Sequence, residues 1–215
     1  MKSFEKWKTE EVERTFGIAQ KDSCALMESW LAYQTALTPV ELSRADDLRK
    51  RHKDFVNFWA EEDIKVFFLM PIIDIVYFYD LNRYRTFMES TLEADLTDIQ
   101  NKTQKIRGRV EMLVATGKQD PQTPFFFLNE YKPRNKSQSD PQGQLLIAML
   151  AAQALNNGKN LPMYGLYTIG QNWYFVLLEG KYYYISKQYD ATDMEDLTQV
   201  LYLLKFVKAH IERSI

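Results

Sequence analysis

Phe125-Phe126-Phe127-Leu128-Asn129-Glu130-Tyr131-Lys132 is the stretch on which the reading of this chain turns. An aromatic run leads into a Glu-x-Lys, as expected of a strand that is buried along its length and polar at its end. Residues two apart on a strand share a face, so Glu130 and Lys132 should project together. A carboxylate and an ammonium held side by side can hold a divalent cation and steer an attacking water, which is the chemistry of phosphodiester cleavage. Taken alone, the pair is an ordinary salt bridge. Its surroundings decide between the two.

Upstream, Lys105 to Ala115 (KIRGRVEMLVA) reads as a strand carrying Glu111, and Tyr84 to Leu96 as another before it. If the Glu111 strand pairs with the Glu130 strand, the two carboxylates come close on one face. Downstream, the polar, cationic segment Pro133 to Ser139 leads into Asp140-Pro141, a strong helix start with Asp as N-cap and Pro at the first position. The helix that follows, Gln142 to Leu155, carries Ala148, Ala151, Ala152 and Ala154, small enough for close packing on a sheet, and Asn156-Asn157-Gly158 ends it. Met163 to Ile169 is a further strand. Trp173 to Leu178 and Tyr182 to Ser186 form a hairpin around Glu179-Gly180. A last helix begins near Thr192, whose Thr-x-x-Glu to Glu195 reads as a capping box, and runs toward Ile211.

The front of the chain is helical. Helical spacing runs from about Glu5 to Ala19 and from Cys24 to Leu37, with a third helix from Glu41 to Trp59 after the break at Pro39. Glu61-Glu62-Asp63 opens a fourth, whose apolar run through Pro71 fits helix or strand by pattern and a broken helix by length. The expected organisation is one domain over 1–215, with residues 1–80 mostly helical and 84–210 an α/β core. At 215 residues and 46% hydrophobic content the chain can bury one good core. A formal net charge of −2 gives no general attraction for polyanions, so any nucleic-acid surface is local. One cysteine, Cys24, allows no internal disulfide. The first residues hold no apolar segment of signal-peptide type, and Val66 to Ile73 is too short to span a bilayer. A cytoplasmic protein away from membranes is expected. A homodimer stays open.

Two carboxylates, Glu111 and Glu130, with a backbone carbonyl and waters make an all-oxygen site suited to Mg²⁺ or Mn²⁺. The chain supplies its own controls. Glu179-Gly180-Lys181 is also Glu-x-Lys but falls on a hairpin turn, and Asp63-Ile64-Lys65 lies in a helix, where positions two apart do not share a face. The run Arg49-Lys50-Arg51-His52-Lys53 reads as a solvated helix face balanced by Asp46, Asp47 and Asp54. Arg134 and Lys136 are the better candidates for phosphate contact. His52 and His210 are far apart, which argues against a zinc site, and no Gly-rich phosphate loop or dinucleotide fingerprint is present, so no nucleotide cofactor is expected. A two-carboxylate glycosidase would leave Lys132 without a role.

GRVEMLVATG, PFFFLNEYKP and DPQGQLLIAMLAAQ together resemble the PD-(D/E)xK nuclease-like superfamily, and MYGLYTIGQNWYFVLLEGKYYYIS and YDATDMEDL resemble an uncharacterised bacterial branch of it. The likeness runs from about Phe87 to Ala209. It implies a restriction-endonuclease-like fold, a mixed central sheet flanked by helices, here with an N-terminal helical extension. It also implies a metal-dependent nuclease acting on DNA or RNA, or a catalytically inactive module of the same fold that binds nucleic acid or protein. On that resemblance Glu111 takes the place of the motif's first acid, usually Asp, and Glu130 and Lys132 match its second half. Gln144, with Gln142 second, matches the supporting Gln of the next helix. A further acid from upstream would be Glu89 or Glu93.

Overall fold

The computed structural model of the protein describes residues 2–80, 83–132, 140–156 and 161–215, and of Pro124 the backbone alone. Nine strands among these residues form one mixed sheet: β1 (Ala19–Gln20), β2 (Tyr79–Asp80), β3 (Tyr84–Thr97), β4 (Thr103–Thr116), β5 (Gln122–Lys132), β6 (Met163–Ile169), β7 (Asn172–Glu179), β8 (Tyr182–Ile185) and β9 (Tyr189–Asp190). Their order is β1-β8-β7-β6-β5-β4-β3-β2, with β9 added on β7. Pairing is antiparallel except for β5 with β6 and β1 with β8. Two strands that run parallel side by side need a crossover, and the helix Pro141–Leu155 supplies it between β5 and β6.

The helices are α1 (Thr9–Phe16), α2 (Ala25–Leu31), α3 (Pro39–His52), α4 (Glu61–Ile64), α5 (Met70–Val76), α6 (Pro141–Leu155) and α7 (Met194–Ser214). They cover the sheet on both sides. One face carries α6, α1 and the 3₁₀ turn Phe4–Lys6, packed around Phe4, Val12, Leu113, Leu128, Leu145 and Met149. The other carries α2, α3, α5 and α7 around Trp30, Phe68, Phe127, Trp173 and Leu204. The protein is thus an α/β structure with a large mixed open sheet flanked by helices. No helix among the described residues is long and apolar enough to cross a membrane.

Helix ends depart from the sequence reading for local reasons. The first helix stops at Phe16 rather than Ala19, because Gly17 turns left-handed at φ 65°. The second spans Ala25–Leu31, short of Leu37, capped at its start by the Cys24 sulfur. The third begins at Pro39 under a Thr38–Glu41 capping box and ends at His52, short of Trp59. Glu61 to Val76 stays helical throughout; the expected break is a π-helical turn, Lys65–Leu69. The last helix is capped by Asp193, not Thr192: Asp193 Oδ1 accepts from the backbone N–H groups of Glu195 and Asp196. Gly180, at φ 60°, makes the expected hairpin turn. Pro133 to Ser139 and Asn157 to Gly158 lie outside the described residues.

The long strands bend together at one place. In β4, Ile106 and Val110 face the α6 side, yet so do Leu113 and Ala115, so the alternation slips by one at about Glu111. In β3, Phe87 faces that side, but so do Leu92, Ala94 and Leu96. There the slip falls at Glu89, a non-glycine residue at φ 50°. Met88 pairs with Met112 and Ser90 with Val110, so the two bends lie side by side. Paired irregularities of this kind re-aim side chains out of the ladder, and here the side chains are the carboxylates Glu89 and Glu111.

Gly143 lets α6 begin against the chain's front end. A Cβ at this position would meet the Thr9 nitrogen at 2.6 Å, the Lys8 carbonyl carbon at 2.7 Å and the Trp7 oxygen at 2.8 Å. These are backbone atoms that cannot swing aside. Gly143→Ala is therefore expected to lower stability by about 1–3 kcal/mol, measured by urea unfolding. An unchanged midpoint would show that the two segments separate without cost.

Candidate active site

The Glu-x-Lys strand is β5, and its neighbour β4 brings Glu111 to it. The ladder pairs Val114 with Phe127, Leu113 with Leu128 and Met112 with Asn129, so Glu111 and Glu130 come next, one residue beyond the last pair. β6 covers the other side, with Glu130 beside Tyr167 and Lys132 beside Ile169. Glu130 is consequently shut in, 2% exposed, while Glu111 on the bend is half-buried.

Burial sets the electrostatics. Desolvation is the main cause that pushes the Glu130 carboxyl up to about 8; Lys132 opposes it, and the negative charges of Glu111, Glu61 and Glu5 add to it. The Glu130 side chain makes no hydrogen bond to a described residue. Lys132 experiences the reverse. Burial disfavours its charge, but the Glu61 hydrogen bond and the carboxylates of Glu130 and Glu111 outweigh burial and hold its pKa above the usual lysine value. Lys132 is therefore a fixed cation near neutral pH, able to orient or stabilise an anion but not to abstract a proton.

Two residues at the site stand outside the sequence reading. Glu61, first residue of α4, forms an ion pair with Lys132 at 2.8 Å. Its place in the first turn of a helix accounts for an acid there on dipole grounds alone, and nothing local signals a lysine 71 residues away. Tyr131, between the two motif residues, is fully buried on the opposite face, and its hydroxyl is held above the phenol range by burial first and by the Glu111 carboxylate next.

The remaining candidates separate cleanly. Gln144 is buried in the first turn of α6, and its side chain makes no hydrogen bond to a described residue. Gln142 is engaged elsewhere: its Oε1 accepts from the Tyr167 hydroxyl at 3.4 Å and its Nε2 donates to the Tyr183 hydroxyl at 3.5 Å. Glu93 points to the open face of the sheet, paired with Lys105 at 2.6 Å and Arg107 at 3.6 Å. Glu89 lies on the bend beside Glu111 and is paired with Lys65 at 2.7 Å and Arg109 at 3.2 Å. Arg134 and Lys136 lie outside the described residues. In the basic run, Arg49 and Lys50 pair with Asp46, and Arg51 with Asp47, as a balanced helix face requires.

No three His, Cys, Asp or Glu side chains among the described residues form a ready metal cage. Glu111 and Glu130 offer two protein ligands. Mg²⁺ usually takes one or two carboxylates and keeps several waters, so the donor chemistry suits it. Glu130 also carries a cost that a cation would relieve, since its ionised form has no hydrogen-bonded partner among the described residues. Compared with protein-family models and with curated proteins, the chain finds no match in either.

Proposed function

We propose that the chain is a metal-dependent nuclease with a restriction-endonuclease-like fold, hydrolysing phosphodiester bonds in DNA or RNA. The observation that supports it best is a buried carboxylate, Glu130, one residue past the ladder pair that leads to Glu111, on the strand that ends in the charged Lys132. Glu111 and Glu130 would hold Mg²⁺ or Mn²⁺, which when bound lowers the pKa of a coordinated water and offsets charge on the phosphate. Lys132 would orient the water and the phosphate oxygens as a permanent cation. Glu61 would fix the position of Lys132, and Gln144, with its amide uncommitted among the described residues, would brace the nucleophile from α6.

A second reading is a module of this fold that binds nucleic acid or protein without cutting. The Lys132–Glu61 ion pair favours it, because a lysine held at 2.8 Å by a neighbouring acid is less available to substrate. One assay divides the two. Incubation with single- and double-stranded DNA and RNA in Mg²⁺ or Mn²⁺ should give cleavage that drops about a hundredfold or more in Lys132→Ala, with the circular dichroism spectrum unchanged. Absence of cleavage by the native sequence across all substrates and both ions would sink the nuclease reading.

A further inference from the structure

Lys65 belongs to the Asp63-Ile64-Lys65 look-alike, yet the π-helical turn Lys65–Leu69 delivers it to the same place. It is as buried as Lys132, each 9% exposed. Its Nζ lies 2.7 Å from Glu89 and 3.9 Å from Glu62. The two lysines share one aromatic ring: Lys65 Nζ stands 5.7 Å and Lys132 Nζ 6.0 Å from the centroid of Tyr131. The charge of Glu111 acts on both.

The charges around the bend sort into matched and unmatched groups. Glu61 pairs with Lys132, and Glu89 with Lys65 and Arg109. Glu111 and Glu130 have no ion-pair partner within bonding reach among the described residues. Two unmatched carboxylates carry the charge that one divalent ion neutralises. The other carboxylate on the paired bends is Glu89, and Lys65 already holds it with a buried ammonium that repels a second cation.

We propose that Lys65 is a positioning residue that takes the place of a second metal ion, so that the site holds a single divalent ion between Glu111 and Glu130. The inference rests on the metal-site reading above and fixes its stoichiometry. Lys65 orients Glu89 away from the ion and supplies a second fixed positive charge, beside the same Tyr131 ring that Lys132 approaches.

Mn²⁺ titration of the intact chain, by calorimetry and by electron paramagnetic resonance, tests it. The native chain and Lys65→Arg should each bind one ion, and Lys65→Met should bind two because Glu89 loses its buried partner and keeps only the exposed Arg109. Lys65→Gln, which keeps a neutral polar end group, repeats the measurement should Lys65→Met not fold. Two ions in the native chain, two in Lys65→Arg, or one ion of unchanged affinity in the neutral variants would each overturn the proposal while leaving the metal site standing. No ion in the native chain would overturn the metal site itself and this proposal with it.

Discussion

Without added metal, the protein should lose stability as pH rises from 4.5 to about 8, and Glu130→Gln should remove that loss. Below 4.5 the folded and unfolded chains both keep the Glu130 proton. Between the two values the unfolded chain ionises freely, while the folded chain must keep the proton or bury a charge. The unfolded state is therefore stabilised relative to the folded state with each step in pH, and the loss levels off above about 8, where both are ionised. At about 1.4 kcal/mol per pH unit, the window corresponds to a loss of about 3–5 kcal/mol. Urea unfolding at pH 5, 7 and 9 should show this slope in the native sequence and a much flatter line in Glu130→Gln.

The comparison has to be made between the two sequences, since other groups titrate in the same range. His52 and His210 are held below the usual histidine value by burial and by neighbouring arginines, so their contribution to stability rises with pH across the same region. The difference between native sequence and variant cancels them. A divalent ion should offset part of the loss. Binding to an ionised Glu130 stabilises the folded state by about 2.7 kcal/mol at a hundredfold excess over Kd, and more strongly at pH 8 than at pH 6, since a proton must leave. Equal slopes in the two sequences would show that Glu130 is not the group that titrates.

How much of this could be read from the sequence depends on what each signal encodes. The strands from Tyr84 to Lys132 were legible because alternation and aromatic content are local, and the helix at Asp140-Pro141 because a cap and a proline lie side by side. The paired bends at Glu89 and Glu111 were not, although their trace is present: apolar positions 106 and 110 change parity to 113 and 115, and 92, 94 and 96 change parity to 87. A strand read as one continuous period hides that slip. Thr192 and Asp193 are both good caps, and only the backbone path selects the residue whose oxygen reaches two N–H groups. For the candidate site, the placement of Glu130 and Lys132 was legible because they are chain neighbours, and that of Glu111 through strand pairing. Glu61 and Lys65 come from a helical segment of the front half, and helical spacing says which face of a helix is apolar, not which distant lysine or acid its polar end will meet. Asp63 and Lys65 lie two apart on a helical segment and make no shared-face pair, and a single lysine there carries no spacing signal of its own.

Trp30→Ala should be the most damaging substitution in the front half, lowering stability by about 3–5 kcal/mol. Trp30 is fully buried, its indole N–H donates to the Leu203 carbonyl at 2.9 Å, and its ring lies 4.9 Å from Tyr164, 5.5 Å from Phe175 and 6.2 Å from Phe206. One side chain of α2 thereby joins β6, β7 and α7. Truncation would leave a cavity among large aromatic rings that cannot collapse into it, in a protein whose total stability is expected to be about 5–15 kcal/mol. Trp30→Phe keeps much of the packing and gives up the hydrogen bond; it should cost about 1–2 kcal/mol. The pair of variants also asks whether residues 1–80 are an appendage. A front half that folded by itself would melt separately in Trp30→Ala and leave the sheet's transition in place. The shared core predicts instead one transition, shifted as a whole, with far-ultraviolet and near-ultraviolet circular dichroism moving together.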